Sequence, residues 1–131
     1  MMSGHVLDTH ALLWLVYKDE RLSLRARAEM EKGELLWFSL VTFWEIAIKE
    51  GNRQFDFDLG ADWKDRILGE CERLEIREIT LTAEDCRAVQ DLPKHHRDPF
   101  DRLLVAQAMR SRAGIISVDK KLDLYDIERL W

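Results

Sequence analysis

Apolar positions along this chain fall into two patterns: short unbroken runs, and longer stretches in which they return every three or four residues. The first reads as strand buried on both faces, the second as helix with one face on a core. Residues 5–7 form such a run and stop at Asp8, while 9–18 continue with Leu12, Leu13, Leu15 and Val16 at helical spacing. A strand therefore leads directly into a helix. Ser23 suits an N-cap for a helix over 24–32 closed by Gly33, and Leu35, Leu36, Trp37 and Phe38 make a buried strand ending at Ser39. Over 41–50 the positions Trp44, Ala47 and Ile48 predict a helix, with Glu45 spaced to pair with Lys49 and Gly51 as its stop. A polar and aromatic connection precedes an amphipathic helix over 61–74 and a strand over 75–79. Thr82, with Asp85 three residues on, opens a capped helix that runs to Leu92 and ends at Pro93.

The clearest helix start comes next. Asp98 is a capping residue, Pro99 fits the first helical position with its fixed φ and missing N–H, and Asp101 sits in the first turn, where a carboxylate suits the helix dipole. Steps of three, four and seven from Asp101 reach Leu104, Val105 and Ala108, so this acid begins an otherwise apolar stripe and points towards the core or a cleft beside it. The helix is expected to stop near Gly114. A short strand over 115–118 then ends at Asp119, and 127–131 supply a last edge strand. Strands alternating with helices argue an α/β fold, one domain over residues 1–131, with a largely parallel sheet and helices on both faces. In such a sheet the carboxyl ends of the strands share one edge, where ligands bind.

Composition narrows the setting. The chain has 131 residues, 47% hydrophobic and 34% charged, the proportions of an ordinary globular protein. Its longest early apolar run, 11–17, is too short to span a bilayer, and it follows an acid and a histidine, unlike a signal segment. The cytoplasm is the expected compartment. Cys71 and Cys86 lack metal-ligand spacing and read as buried or half-buried reduced thiols. A net charge of −5 argues against coating duplex DNA by bulk electrostatics, though it leaves RNA open if cations gather at an acidic centre. Lys94, Arg97, Arg102, Arg110, Arg112, Lys120 and Lys121 are placed to flank such a centre, and a solvated rim is their default reading.

Four acids are candidates for that centre. Asp8 and Asp119 follow strands, Glu45 lies in the first turns of a helix after a strand, and Asp101 opens the central helix. Each has a structural alternative as turn, cap or surface ion pair. Together they are expected to converge on one sheet edge. Like charges about 4 Å apart repel by roughly 4 kcal/mol near a protein surface, so clustered carboxylates share protons or hold cations, and all-oxygen ligation suits Mg²⁺ or Mn²⁺.

The stretch Val6-Leu7-Asp8-Thr9-His10-Ala11, the run Trp44-Glu45-Ile46-Ala47-Ile48-Lys49, the segment 95–108 and Ser117-Val118-Asp119 resemble, in this order, the motifs of PIN-domain proteins, and in particular VapC-type toxins of toxin–antitoxin pairs. The resemblance implies a three-layer α/β/α sandwich, Mg²⁺- or Mn²⁺-dependent cleavage of RNA, a homodimer, and inhibition by a cognate antitoxin. Carried over by motif, Asp8, Glu45, Asp101 and Asp119 are the metal-binding catalytic acids, with Thr9 and Thr42 as supporting hydroxyls. Asp98 is either a further acid or only the helix cap. Arg97, Arg102 and Lys120 are candidate phosphate contacts.

Two other readings stand beside this one. His95 and His96, with Lys94 and Arg97, would suit a metal-independent ribonuclease, since histidine titrates where such work is done. A non-catalytic module with a structural cation would instead use Trp14, Phe43, Trp44 and Trp63 to dock a partner. The density of large aromatics over 9–32 and 41–74 also suggests an apolar groove for an antitoxin segment.

Overall fold

Each inner strand is three residues long, yet its side chains divide cleanly between two cores. In the computed structural model, which describes residues 4–131, β1 (His5–Leu7), β2 (Leu36–Phe38), β3 (Arg77–Glu78), β4 (Gly114–Ile116) and β5 (Arg129–Leu130) form one sheet in the order β3-β2-β1-β4-β5. Every pairing is parallel. Register places Val6 beside Trp37 and Ile115, and Leu7 beside Ile116. Successive strand residues face opposite sides, so Val6, Trp37 and Ile115 enter one core while Leu7, Phe38 and Ile116 enter the other. The first core is covered by α5 (Ala83–Ala88) and α6 (Pro99–Ser111). The second is covered by α1 (Thr9–Val16), α2 (Leu24–Glu31), α3 (Leu40–Gly51) and α4 (Trp63–Arg73). The result is the expected α/β/α sandwich. Continuous apolar strands are what a sheet covered on both faces requires, and each fully buried Leu or Ile stabilises it by about 1.5–3 kcal/mol.

Chain order explains where a crevice opens. From β1 the chain adds β2 and then β3 on one side, then returns to place β4 on the other side of β1. Connections leaving β1 and β4 therefore diverge, and the carboxyl ends of those two strands border an open switch point. α6 is anchored over this edge by polar bonds inside the fold. Gln107, with no exposed surface, accepts from the Ser39 hydroxyl at 2.7 Å and donates to the Ile79 carbonyl at 3.2 Å. Asp85 is likewise buried and is held by Arg110 through two bonds, which clamps α5 to α6.

Most boundaries follow their local signals. Ser23 and Asp98 cap α2 and α6, and the Thr82–Asp85 capping box is present. Departures have tertiary causes. The helix expected to run to Leu92 ends at Ala88 and tightens into a 3₁₀ turn, Val89–Asp91, where the Arg102 guanidinium takes the carbonyls of Val89, Leu92 and Pro93. The strand expected over 75–79 shrinks to two exposed residues, because Glu75, at φ 58°, still belongs to the turn that closes α4. α6 ends at Arg112 in the left-handed conformation, and Gly114 instead starts β4. A Cβ at Gly114 would lie 2.7 Å from the His5 ring and 2.9 Å from the Glu128 carbonyl, so the glycine admits a close strand approach there.

The aromatic docking surface predicted from sequence is not formed as a set. Trp14 is buried, and Phe43 and Trp63 pack against the same core, leaving Trp44 as the exposed member. In α3 the stripe read from the sequence, Trp44, Ala47 and Ile48, is the exposed one, while Val41, Thr42, Glu45 and Ile46 are buried. Cys86 is exposed rather than buried or half-buried, whereas Cys71 is buried; both are free thiols. Among the described residues, no helix is long and apolar enough to cross a membrane.

Candidate active site

At the switch point the strand ends and helix starts deliver their acids to one cleft of about 220 Å³, lined by Asp8, Glu45, Asp98, Asp101 and Asp119 together with Thr9, His10, Lys49 and Val118. Each acid arrives by a local rule. Asp8 ends β1 and caps α1, accepting the Ala11 amide at 2.8 Å. The Ser117 hydroxyl, at the end of β4, also bonds its carboxyl. Burial still dominates and pushes Asp8 up to about 6, with the charges of Glu45 and Asp119 adding to the effect.

Glu45 lies in the second turn of α3 and is buried. Thr9 donates to its Oε1 at 2.5 Å and Lys49 to its Oε2 at 2.5 Å. Sequence spacing anticipated the Glu45–Lys49 pair but not its burial. Thr42 is buried behind Thr9, their hydroxyls 3.5 Å apart.

Asp98 and Asp101 take different roles within one helix start. Asp98 Oδ1 accepts the amides of Phe100 at 2.8 Å and Asp101 at 3.3 Å, so the cap is real. Asp101 is half-buried, and no described donor reaches its carboxyl. Burial first, then the charges of Asp98 and Glu45, push it up to about 7. An acid that retains a proton near neutrality, among other acids and without a donor, is a place where a cation replaces the proton.

Asp119 behaves in the opposite way. Burial works against its charge, but the hydrogen bond from His96 and the Lys121 amide outweigh burial and lower its pKa. His96 Nε2 lies 2.6 Å from Asp119 Oδ2, and its Nδ1 shares a hydrogen bond with the Tyr125 hydroxyl at 3.0 Å. Oδ1 of the same acid accepts Lys121 N at 3.0 Å. One ligand atom each from His96, Asp101 and Asp119 lies within 4.8 Å of the others, close enough to share an ion.

Sequence reasoning offered His96 as a group of a metal-independent ribonuclease and did not foresee its burial; it is 7% exposed and packed flat against Tyr125. Ser117 was also missed as a partner of Asp8; its place at the end of a buried strand was the available signal. Arg102, anticipated as a phosphate contact, is engaged with backbone carbonyls of the 89–96 segment. Arg97 and Lys120 are exposed. His95 is half-buried with its ring edge-on to Tyr125.

Comparison with known proteins places this geometry. A model of the PIN domain family matches residues 5–128. No curated protein matches the sequence. Among solved structures, a chain of the crystal structure of VapBC2 from Rickettsia felis bound to a DNA fragment from their promoter is similar with a TM-score of 0.67 and 12% identity. The match covers 99% of this chain and 100% of that one, and at such identity it speaks for the fold. With a family match from the first strand almost to the last, and the fold to go with it, the chain belongs to the PIN domain family.

Proposed function

We propose that this protein is a divalent-cation-dependent endoribonuclease that acts as the toxin of a VapC-type toxin–antitoxin pair in the cytoplasm. The observation that carries the proposal is Asp101: a carboxyl without a donor, facing a cleft lined by other acids, with its pKa raised to about 7. The donor set fits Mg²⁺ or Mn²⁺, since it is dominated by carboxylate oxygens. Asp8, Glu45, Asp101 and Asp119 would hold the ion. When bound, it would supply a more acidic water and positive charge opposite the phosphate.

The chain's own residues do the rest. Ser117 and the Ala11 amide fix the Asp8 carboxyl, and Thr9, with Thr42 behind it, fixes Glu45. His96 and the Lys121 amide fix Asp119. Asp98 caps α6 and, by its charge, makes Asp101 a stronger seat for a cation. Arg97 and Lys120, exposed and next in the chain to Asp98 and Asp119, would meet phosphates along a single-stranded RNA, whose backbone enters a narrow cleft more readily than a duplex does.

Two experiments test this reading. Cleavage of a single-stranded RNA is expected to stop with EDTA and return with Mg²⁺ or Mn²⁺. Either ion, at about a hundredfold above its Kd, should also raise the melting temperature by roughly 5–10 °C, because a ligand bound only by the folded state stabilises it by mass action. Cleavage that survives EDTA, or a melting temperature that ignores the ion, counts against the site.

The antitoxin proposal rests on the toxin resemblance and on a groove of about 430 Å³ between α1, α2 and α4, lined by Leu15, Arg27, Met30, Arg73, Leu74 and Ile76. Its lining is aliphatic and charged rather than aromatic. An amphipathic partner helix matches that chemistry. Hydrogen exchange with the cognate antitoxin should show protection gained in α1, α2 and α4; unchanged exchange there would move the docking surface elsewhere. The homodimer implied by the same resemblance would bury the exposed face of α3, where Leu40, Trp44 and Ile48 lie one turn apart.

A further inference from the structure

Glu45 differs from the other acids of the cleft because both its oxygens already have side-chain donors. One is the Thr9 hydroxyl from α1 and the other is the Lys49 ammonium one turn further along α3. The pair is not a surface contact of the usual helical kind. Side-chain exposure is 27% for Lys49 and 6% for Glu45, so opening the pair would leave a buried carboxylate with no charged partner and only the Thr9 hydroxyl as side-chain donor.

Lys49 also lines the acidic cleft and interacts electrostatically with Asp98 and Asp101. Among the described residues lining that cleft it is the one Lys or Arg. An ammonium has three donors, and the bond to Glu45 uses one. Asp101 presents the complementary case, an acid with no described donor. Lys49 thus gives Glu45 a charged hydrogen bond, whereas at Asp101 it acts only through space.

We propose that Lys49 is a built-in cation of the cleft: it offsets the charge of Glu45, leaves the four acids to hold one divalent ion rather than two, and offers its remaining N–H bonds to the phosphate. The proposal rests on the nuclease reading above. One ion would then suffice among this many acids, since the second positive charge that a two-ion site would provide would come from the chain itself.

Calorimetric titration of EDTA-stripped protein with Mn²⁺, paired with cleavage of single-stranded RNA at saturating Mn²⁺, tests it. Wild type is expected to bind one ion per chain, and Lys49→Arg to resemble it. Lys49→Met should tighten Mn²⁺ binding by about tenfold or more, because a nearby like charge has gone, while slowing cleavage by about a hundredfold, the usual effect of losing a charged donor to a reacting phosphate. Opposite signs on affinity and turnover are the signature. A merely structural lysine would give lower stability, with affinity and cleavage at wild-type values once the chain is folded. Should Lys49→Met fold only when Mn²⁺ is added, the ion is replacing the ammonium, as proposed. Two ions per wild-type chain, unchanged affinity and cleavage in Lys49→Met, affinity and cleavage falling together, or a variant that folds in neither condition would each overturn it. If wild type binds one ion and Lys49→Met binds it more tightly, but neither cleaves RNA, the nuclease reading fails while the charge role of Lys49 stands.

Discussion

Asp101→Asn is expected to cut RNA cleavage by at least a hundredfold while leaving the metal-free protein no less stable than wild type at pH 8. The two effects have one origin. The Asp101 carboxyl is half-buried beside Asp98 and Glu45, and its pKa is raised from 3.8 to about 7. The folded chain therefore holds this proton more tightly than the unfolded chain does. Between about pH 4 and 7 the folded state binds more protons, so stability must fall as pH rises. The contribution is fully present below the unfolded value and is lost as pH climbs through 7. Asp8, raised to about 6, acts with the same sign. Asp85 and Asp119 have lowered values and act oppositely, but their contribution is lost only as pH falls below the ordinary carboxylate range, which separates the windows.

An amide at position 101 keeps the shape, removes the repulsion and cannot supply an anionic oxygen to a cation. Denaturant unfolding without metal at pH 5 and pH 8 should show a shallower loss in Asp101→Asn than in wild type. Added Mn²⁺ should stabilise wild type and do little for the variant. Retained cleavage, or an unchanged pH slope, would remove Asp101 from the centre of the site.

How much of this was visible in the sequence depended on the distance between partners. Asp98, Pro99 and Asp101 declared a helix start because every interaction involved lies within three residues. Val6 and Leu7 declared a strand buried on both faces through their unbroken apolar run, although the strands they pair with lie far along the chain. Glu45 and Lys49 were legible as a pair because a helix brings residues four apart together. That the pair is buried depends on α1 crossing α3, which no local pattern encodes. His96 finds its partners 23 and 29 residues away, and its neighbour His95 has the same local signals with a different outcome. Arg102 had the composition of a phosphate contact, but its length and forked donors met a turn rich in open carbonyls first. Side chains that reach far are the ones whose roles the sequence left open.

His96 decides between the metal reading and a histidine mechanism. In the latter an imidazole takes the 2′-hydroxyl proton, which needs a ring nitrogen facing substrate. Both nitrogens of His96 are engaged inside the fold, one with Asp119 at 2.6 Å and one with the Tyr125 hydroxyl at 3.0 Å. The geometry makes His96 a positioner of Asp119. His96→Leu should strip the acid of its side-chain donor and leave the tyrosine hydroxyl unanswered, at a cost of about 2–3 kcal/mol in stability. Cleavage should fall about 10–100-fold, the range typical of residues that orient metal-binding groups. His96→Gln can return an amide N–H towards Asp119, and it is expected to recover most of the cleavage without any group able to act as a base. A histidine mechanism expects the two variants to be equally inactive. It also expects cyclic phosphate ends, whereas attack by water leaves a 5′-phosphate and a 3′-hydroxyl. End-labelled RNA cut by wild type and by His96→Gln should give the latter pair in both cases. Cyclic ends from wild type, together with a dead His96→Gln and an active Asp101→Asn, would transfer the chemistry from the acids to the histidine.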